Sequence, residues 1–313
     1  VSTTLMTQCL HTLKIPDKQI TRVLPHRIKD GYNLNWEVIK RRMKEEGKKV
    51  DLIIAVDCGS TAVGAALQIR NAGMDLLVVD HHNLDAAHAL PTNDKQLIHI
   101  NPKLWVGRPG NDPRYRLEYM CASGLVYLLA RTLASRLPSG NSWSHPQAAL
   151  LAGLATCVDV MKLAGFNRML LAESLRLANQ PEVIGKIPAL AELKKQKGPK
   201  EEDMRPVTER DYGMSWGPVI NAPGRMATAE LALDFILAKN AKCAREFFEK
   251  CDEMNRFRKA TERAMLHEAS LMLDADDKTN KTEVLPPVLT VSNPQWHPGV
   301  VGILASRLRD RHR

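Results

Sequence analysis

Two short apolar runs, Leu52–Val56 and Leu76–Val79, each end in aspartate, and a helix-length segment from Thr61 to Ala72, closed by Gly73, separates them. Continuous apolar runs of this kind suit parallel strands buried on both faces, so the pattern predicts a βαβ unit. Ahead of it, Ile20–Leu24 reads as a further strand, and Asn35 as the cap of a helix over Trp36–Glu46. Val1–Leu13 reads as helix, with Leu5, Met6, Cys9, Leu10 and Leu13 on one face, as though the chain started inside a fold. After the unit, Leu97–Ile100 reads as a strand ending in Asn101-Pro102, and Pro102–Arg116 as a turn-rich loop. Helices follow at Ala122–Leu137, His145–Cys157 and Asn167–Ala178, and Lys195–Pro206 reads as a charged, mobile insertion. From Ala229 to Leu273 there is neither Gly nor Pro. Phe247, Cys251, Met254, Phe257, Thr261 and Ala264 recur there at three- to four-residue spacing, which predicts one long helix or two in tandem. A polar stretch, Asp274–Glu283, and a strand at Val288–Val291 complete the pattern. The class is α/β: a parallel sheet with flanking helices, a long connecting helix, and the start of a second α/β domain.

Composition narrows the function classes. With 313 residues, two lobes fit better than one core, because single cores rarely exceed about 250–300 residues. No apolar run approaches a membrane span and the first residues lack the order of a signal peptide, so a soluble cytoplasmic protein is expected. The six cysteines are scattered with no CxxC pair and read as reduced thiols. The 44 Lys and Arg against 35 Asp and Glu give a net charge of +9, which favours a polyanionic partner.

The chemistry-bearing residues fall at predicted turns. Ligand sites in parallel sheets gather at the carboxyl ends of strands, where Asp57-Cys58-Gly59 and Asp80-His81-His82 both lie. An aspartate there is often only a helix cap; two imidazoles beside it add ligands suited to Mn²⁺, Mg²⁺ or Zn²⁺. Adjacent histidines on one turn do not easily face one ion, so one is expected to ligate and the other to serve substrate or support the site. Asp159 follows an apolar helix, and a carboxylate buried there needs a cation or hydrogen-bond donors. Asn221-Ala222-Pro223-Gly224-Arg225 reads as a polar turn with a forked cation suited to phosphate. Trp296-His297-Pro298-Gly299-Val300-Val301-Gly302 and Ala305-Ser306-Arg307 read as a turn entering a helix.

In this order the motifs resemble those of the DHH phosphoesterase superfamily, and within it the RecJ-like single-stranded-DNA exonucleases. The resemblance runs over essentially the whole chain. It implies a phosphodiesterase with two divalent ions, Mn²⁺ or Mg²⁺, in which Asp57 bridges both ions while His81 and Asp159 complete one of them. His82 would assist the phosphate or leaving oxygen and Asp80 would orient the histidine turn. Arg27 matches the segment that holds a terminal 5′-phosphate, and Asn221 and Arg225 match the turn facing the DNA backbone. The implied boundaries are a DHH domain over 1–228 lacking its first strand and motif, a connecting helix over 229–273, and the N-terminal part of a DHH-associated domain over 274–313. The family's opening aspartate motif would lie before Val1 and its glycine- and histidine-containing motif beyond Arg313, while Val219 stands where an arginine is common. Single-stranded DNA is the implied partner, with a single-stranded-DNA-binding protein or a helicase as candidate protein partners. The alternatives are a DHH phosphodiesterase acting on oligoribonucleotides or cyclic dinucleotides, and a non-catalytic module that binds single-stranded DNA; retention of Asp57, His81, His82 and Asp159 argues against the latter.

Overall fold

Strands β1 (Leu52–Val56), β2 (Asp75–Val79) and β3 (Leu97–Ile100) pair in parallel in that order, with Leu52 opposite Asp75 and Leu76 opposite Leu97. They form the sheet of the computed structural model, which describes residues 1–84, 90, 94–105, 117–138, 140–200, 203, 205–280 and 288–312, with only the backbone described at 105 and 274–280. Side chains alternate between the two faces of a strand. Ala55, Leu76, Val78 and Leu97 therefore share one apolar cluster with Ile39, Ala66 and Ile69, while Val79 joins a second, larger cluster with Leu5, Val126 and Leu151. Burial on both faces is why these runs are continuously apolar.

Helices supply the covering layers. The helix α1 (Ser2–Thr12) packs beside the sheet's larger cluster, and α2 (Trp36–Glu46) and α3 (Val63–Asn71) cover the smaller one. The expected cap of α2 is present: Asn35 Oδ1 accepts the Glu37 N–H at 2.9 Å. Next come α4 (Ala122–Ala134), α5 (His145–Val158), α6 (Gly165–Ala178), the short α7 (Pro181–Ile184) and α8 (Pro188–Lys197). The helices α5 and α6 touch at Gly153, where an added Cβ would fall 2.2 Å from Ser174 Cβ and 2.7 Å from the Leu170 carbonyl oxygen. We expect Gly153→Ala to destabilise the fold by about 2 kcal/mol: overpacking outweighs the roughly 1 kcal/mol that alanine gains over glycine in a helix. A lowered urea midpoint with an unchanged slope would check this; an unchanged midpoint would refute it.

Several expectations change. Residues 20–24 are not a strand. Ile20 is extended, yet none of these residues joins a ladder; side chains hold the segment instead, with Thr21 Oγ1 donating to Glu46 at 2.6 Å and Arg22 Nε to Thr7 at 3.2 Å. Lys195–Pro206 is not simply a mobile insertion, because residues 195–197 continue α8 and Lys197 pairs with Asp252 at 2.8 Å. Val288–Val291 likewise forms no strand among the described residues, and Val288 is exposed. Of the expected loop Pro102–Arg116, residues 106–116 lie outside the described residues.

The predicted polar turn Asn221–Arg225 is helix. The helix α9 (Glu209–Asp211) runs through a π-helical segment, Tyr212–Trp216, into α10 (Gly217–Met226), whose last turns carry Asn221, Pro223 and Arg225. Pro and Gly read locally as a turn. Burial of Val219, Ile220, Ala222 and Pro223 overrides that preference.

The Gly- and Pro-free stretch forms two helices in tandem, α11 (Glu230–Ile236) and α12 (Ala241–Asn280). The buried line on α12 runs through Ala244, Phe248, Cys251, Asn255, Arg258, Glu262, Met265 and Ala269, whereas Phe257, which the spacing put inside, is exposed. The helix α13 (Val301–Arg311) packs Leu304 and Leu308 with Val300 against Met265 and Ala269. Among the described residues no helix is long and apolar enough to cross a membrane.

Candidate metal centre

Asp57, the residue after β1, donates its N–H to the Val79 carbonyl at 3.0 Å and has φ 65°. Aspartate tolerates this left-handed conformation better than most residues. It turns the chain out of the ladder, and Gly59 at φ 107° completes the turn against Val78. Asp80, after β2, is 1 % exposed and fully engaged. Its Oδ1 accepts the His81 N–H at 2.8 Å and His82 Nδ1–H at 2.7 Å, and its Oδ2 accepts the Ser60 N–H at 3.0 Å. Burial opposes ionisation of Asp80, but these hydrogen bonds outweigh it and hold its pKa below the usual carboxylate value.

The turn that Asp80 shapes presents His81 Nε2 to two carboxylates, 3.2 Å from Asp57 Oδ1 and 3.5 Å from Asp159 Oδ2. Asp159 caps the C-terminus of α5, and the next residue, Val160, has φ 55° although it is β-branched and 89 % exposed. Strain of this kind persists where the surroundings dictate it, and it clusters at functional sites. Donor atoms of Asp57, His81 and His82 also lie within 4.8 Å of one another. The His81 and His82 rings are 4.6 Å apart.

The charges are coupled. Burial disfavours protonated His81, yet the hydrogen bond to Asp57 and the charges of Asp57, Asp159 and Asp80 raise its pKa. Asp159 is not the buried carboxylate expected, its side chain being 46 % exposed; partial desolvation still pushes its pKa up, His81 opposes this and Asp57 adds to it. Two carboxylates and an imidazole are hard and borderline donors. Octahedral bonds of about 2.1 Å put neighbouring donors about 3 Å apart, close to the two spacings from His81 Nε2, so His81 and either carboxylate suit neighbouring positions around a small divalent cation.

Cations gather elsewhere. Arg27 sits in the turn after His26, its guanidinium 4.2 Å from the Tyr32 ring centroid. Asp30 holds that turn, accepting the His26 N–H at 2.8 Å and Arg41 at 3.0 Å, and Asn33 Oδ1 ties the following loop to the Gly59 N–H at 3.1 Å. Burial and then the charge of Arg225 depress the Arg27 pKa. Arg258 is depressed by burial and by the charges of Arg225 and Arg307, while Glu262 between them opposes this. Glu262 receives Arg258 at 2.7 Å and Arg307 at 3.0 Å. Gly299 abuts Arg225 so closely that a Cβ there would fall 2.0 Å from the Arg225 carbonyl oxygen. Asn221 is exposed on α10.

The model of the DHH family, N-terminal domain, matches residues 1–158, half of the chain. The chain belongs to the DHH family. Its DHH turn, Asp80-His81-His82, lies within that match. The single-stranded-DNA-specific exonuclease RecJ of Salmonella typhimurium is 29 % identical over 303 residues, covering 94 % of this chain and 49 % of the relative. The Bacillus subtilis protein of the same name is 30 % identical over 304 residues, 96 % of this chain and 34 % of its own. The chain thus spans about half or less of the length of these curated relatives. A solved exonuclease RecJ bound to manganese superposes with TM-score 0.76 at 26 % identity, over 99 % of this chain and 70 % of that one. RecJ from Thermus thermophilus in complex with Mn²⁺ superposes with TM-score 0.72 at 25 % identity, over 99 % of this chain and 40 % of that one.

Sequence reasoning missed several residues of this DHH chain. Ser60, Asn101, Arg258 and Glu262 are buried polar groups, and Asn33 braces the Asp57 turn from outside. One signal existed for part of the set: Asn255, Arg258 and Glu262 continue the line of Cys251, Met265 and Ala269 at helical spacing, a polar break in an apolar stripe. Ser60 and Asn101 carry no such mark.

Proposed function

We propose that the complete protein carrying this chain is a divalent-metal-dependent phosphodiesterase that hydrolyses single-stranded DNA from its 5′ end to mononucleotides. The observation that supports this most is the approach of His81 Nε2 to both Asp57 and Asp159, residues from three separate elements. The names and bound metals of its RecJ relatives point the same way. In this reading Asp57, His81 and Asp159 hold Mn²⁺ or Mg²⁺, and further ligands for a second ion come from outside these three. Such an ion supplies Lewis acidity toward a phosphoryl oxygen and offsets the charge that builds there. Asp80 fixes the His82 ring through Nδ1, leaving Nε2 to face the phosphate or leaving oxygen. Arg27 and Arg225 bind the strand, and Asn221 adds a backbone contact. We assign 1–228 to the catalytic DHH domain, 229–273 to the connector and 274–313 to the start of the second domain.

The forked guanidinium of Arg27 suits a terminal phosphate, which offers more charge and more acceptor oxygens than an internal diester. In the complete protein, Arg27→Ala is expected to lower kcat/KM on 5′-phosphorylated single strands about tenfold, as for loss of a charge-assisted hydrogen bond, and to affect 5′-hydroxyl strands less. Equal losses on both would reduce Arg27 to a general backbone contact. Failure of the wild type to release mononucleotides with Mn²⁺ or Mg²⁺ would overturn the function itself.

A further inference from the structure

The last backbone bonds of the ladder run from Asp57 N–H to Val79 and from Asp80 N–H to Ile100. Beyond them the ligand-bearing turns leave the sheet, and side chains take over. Asn101, the residue after β3, is 1 % exposed. One amide hydrogen goes to the His82 carbonyl at 3.0 Å and the other to Ser60 Oγ at 2.9 Å, while its Oδ1 accepts the Lys103 N–H at 3.0 Å. Ser60 Oγ also lies 2.9 Å from His99 Nε2, and its N–H meets Asp80. With the Ser60 oxygen accepting from Asn101, its own hydrogen is available to Asp80 or to His99. One carboxamide therefore joins the turn after β1, the turn after β2 and the end of β3.

We propose that Asn101 is a positioning residue that sets the spacing of Asp57 and His81, and through it the affinity of the site for a divalent cation. The inference rests on reading that cluster as a metal centre. The argument is geometric. Asp57 lies three residues before Ser60 and His81 one residue before His82, so a clasp between Ser60 and the His82 carbonyl fixes how far apart the two ligand side chains can move. A carboxamide suits the place because it has two donors for two acceptors on different turns and an acceptor left for its own loop. Groups that orient metal ligands typically change affinity or activity 10- to 100-fold when lost.

The test is calorimetric titration of Mn²⁺ into the complete protein, alongside kcat and KM on single-stranded DNA. Asn101→Leu, close in size but without donors, is expected to weaken Mn²⁺ binding by about 10- to 100-fold and lower kcat, with the KM for DNA nearly unchanged. Ser60→Ala, which keeps the backbone bond to Asp80, is expected to weaken it by about tenfold. A merely structural role would lower the folded yield without changing the affinity of the folded fraction. Affinity within about twofold of wild type in folded Asn101→Leu overturns the proposal; if that variant does not fold, the same result for Ser60→Ala does so. Wild type that takes up no Mn²⁺ overturns both this proposal and the metal-centre reading. Wild type that binds Mn²⁺ but cleaves no DNA overturns the nuclease reading alone, and the affinity ratio still decides the role of Asn101.

Discussion

His81→Ala in the complete protein is expected to lower kcat by about 10³-fold or more, some 4 kcal/mol of barrier, while the KM for single-stranded DNA changes little. The size follows from the position of the imidazole, since His81 Nε2 stands between Asp57 at 3.2 Å and Asp159 at 3.5 Å. Its removal deletes one donor and exposes the other two to their mutual repulsion. Asp57 already pushes the Asp159 pKa up, and His81 is the leading group opposing that push. The variant therefore loses a ligand and makes a second one easier to protonate. In the proposed reading the strand is bound through Arg27 and Arg225, which involves neither carboxylate, so KM is expected to be spared. Chelation should bring the wild type down to a similar level, with recovery on adding Mn²⁺ that the variant does not share. More than a tenth of wild-type kcat in His81→Ala would sink the assignment.

Gly299→Ala is expected to lower kcat/KM on 5′-phosphorylated strands by about 100-fold and leave Mn²⁺ affinity unchanged. An added Cβ falls 2.0 Å from the Arg225 carbonyl oxygen, 2.9 Å from its carbon and 3.1 Å from His297 Cε1. Even close carbon–oxygen contacts are about 3.3 Å, so the turn must withdraw by roughly 1 Å. Either Arg225 shifts, or Trp296 and Val300 draw away from Met265 and Leu304. Misplacement of about 1 Å in a substrate-positioning group can cost 10²-fold, and overpacking typically costs about 1–3 kcal/mol of stability. The split between the two readouts makes this informative, because the metal cluster hangs on the sheet edge and α5 whereas Gly299 meets α10. Unchanged kcat/KM on 5′-phosphorylated strands would show that the contact does not set Arg225.

What the sequence determined by itself was local. Leu52–Val56 and Leu76–Val79 had the continuous apolarity of strands covered on both faces, and Asn35 had the side chain that an exposed helix N-terminus requires. Asp57 and Asp80 were legible as strand-end residues because a strand's apolar run marks its own end. Tertiary structure decided what those residues meet. Residues 20–24 have a strand's pattern but no partner strand among the described residues, and Asn221–Arg225 has a turn's composition but is helical because its apolar neighbours are buried. Asp159 reaches His81 only because α5 packs beside the sheet's larger cluster. Asn101 and Ser60 were ordinary polar residues until three strand ends came together. Periodicity and caps are set within about ten residues of chain, whereas the partner of a buried polar group is set by whichever distant element packs over it.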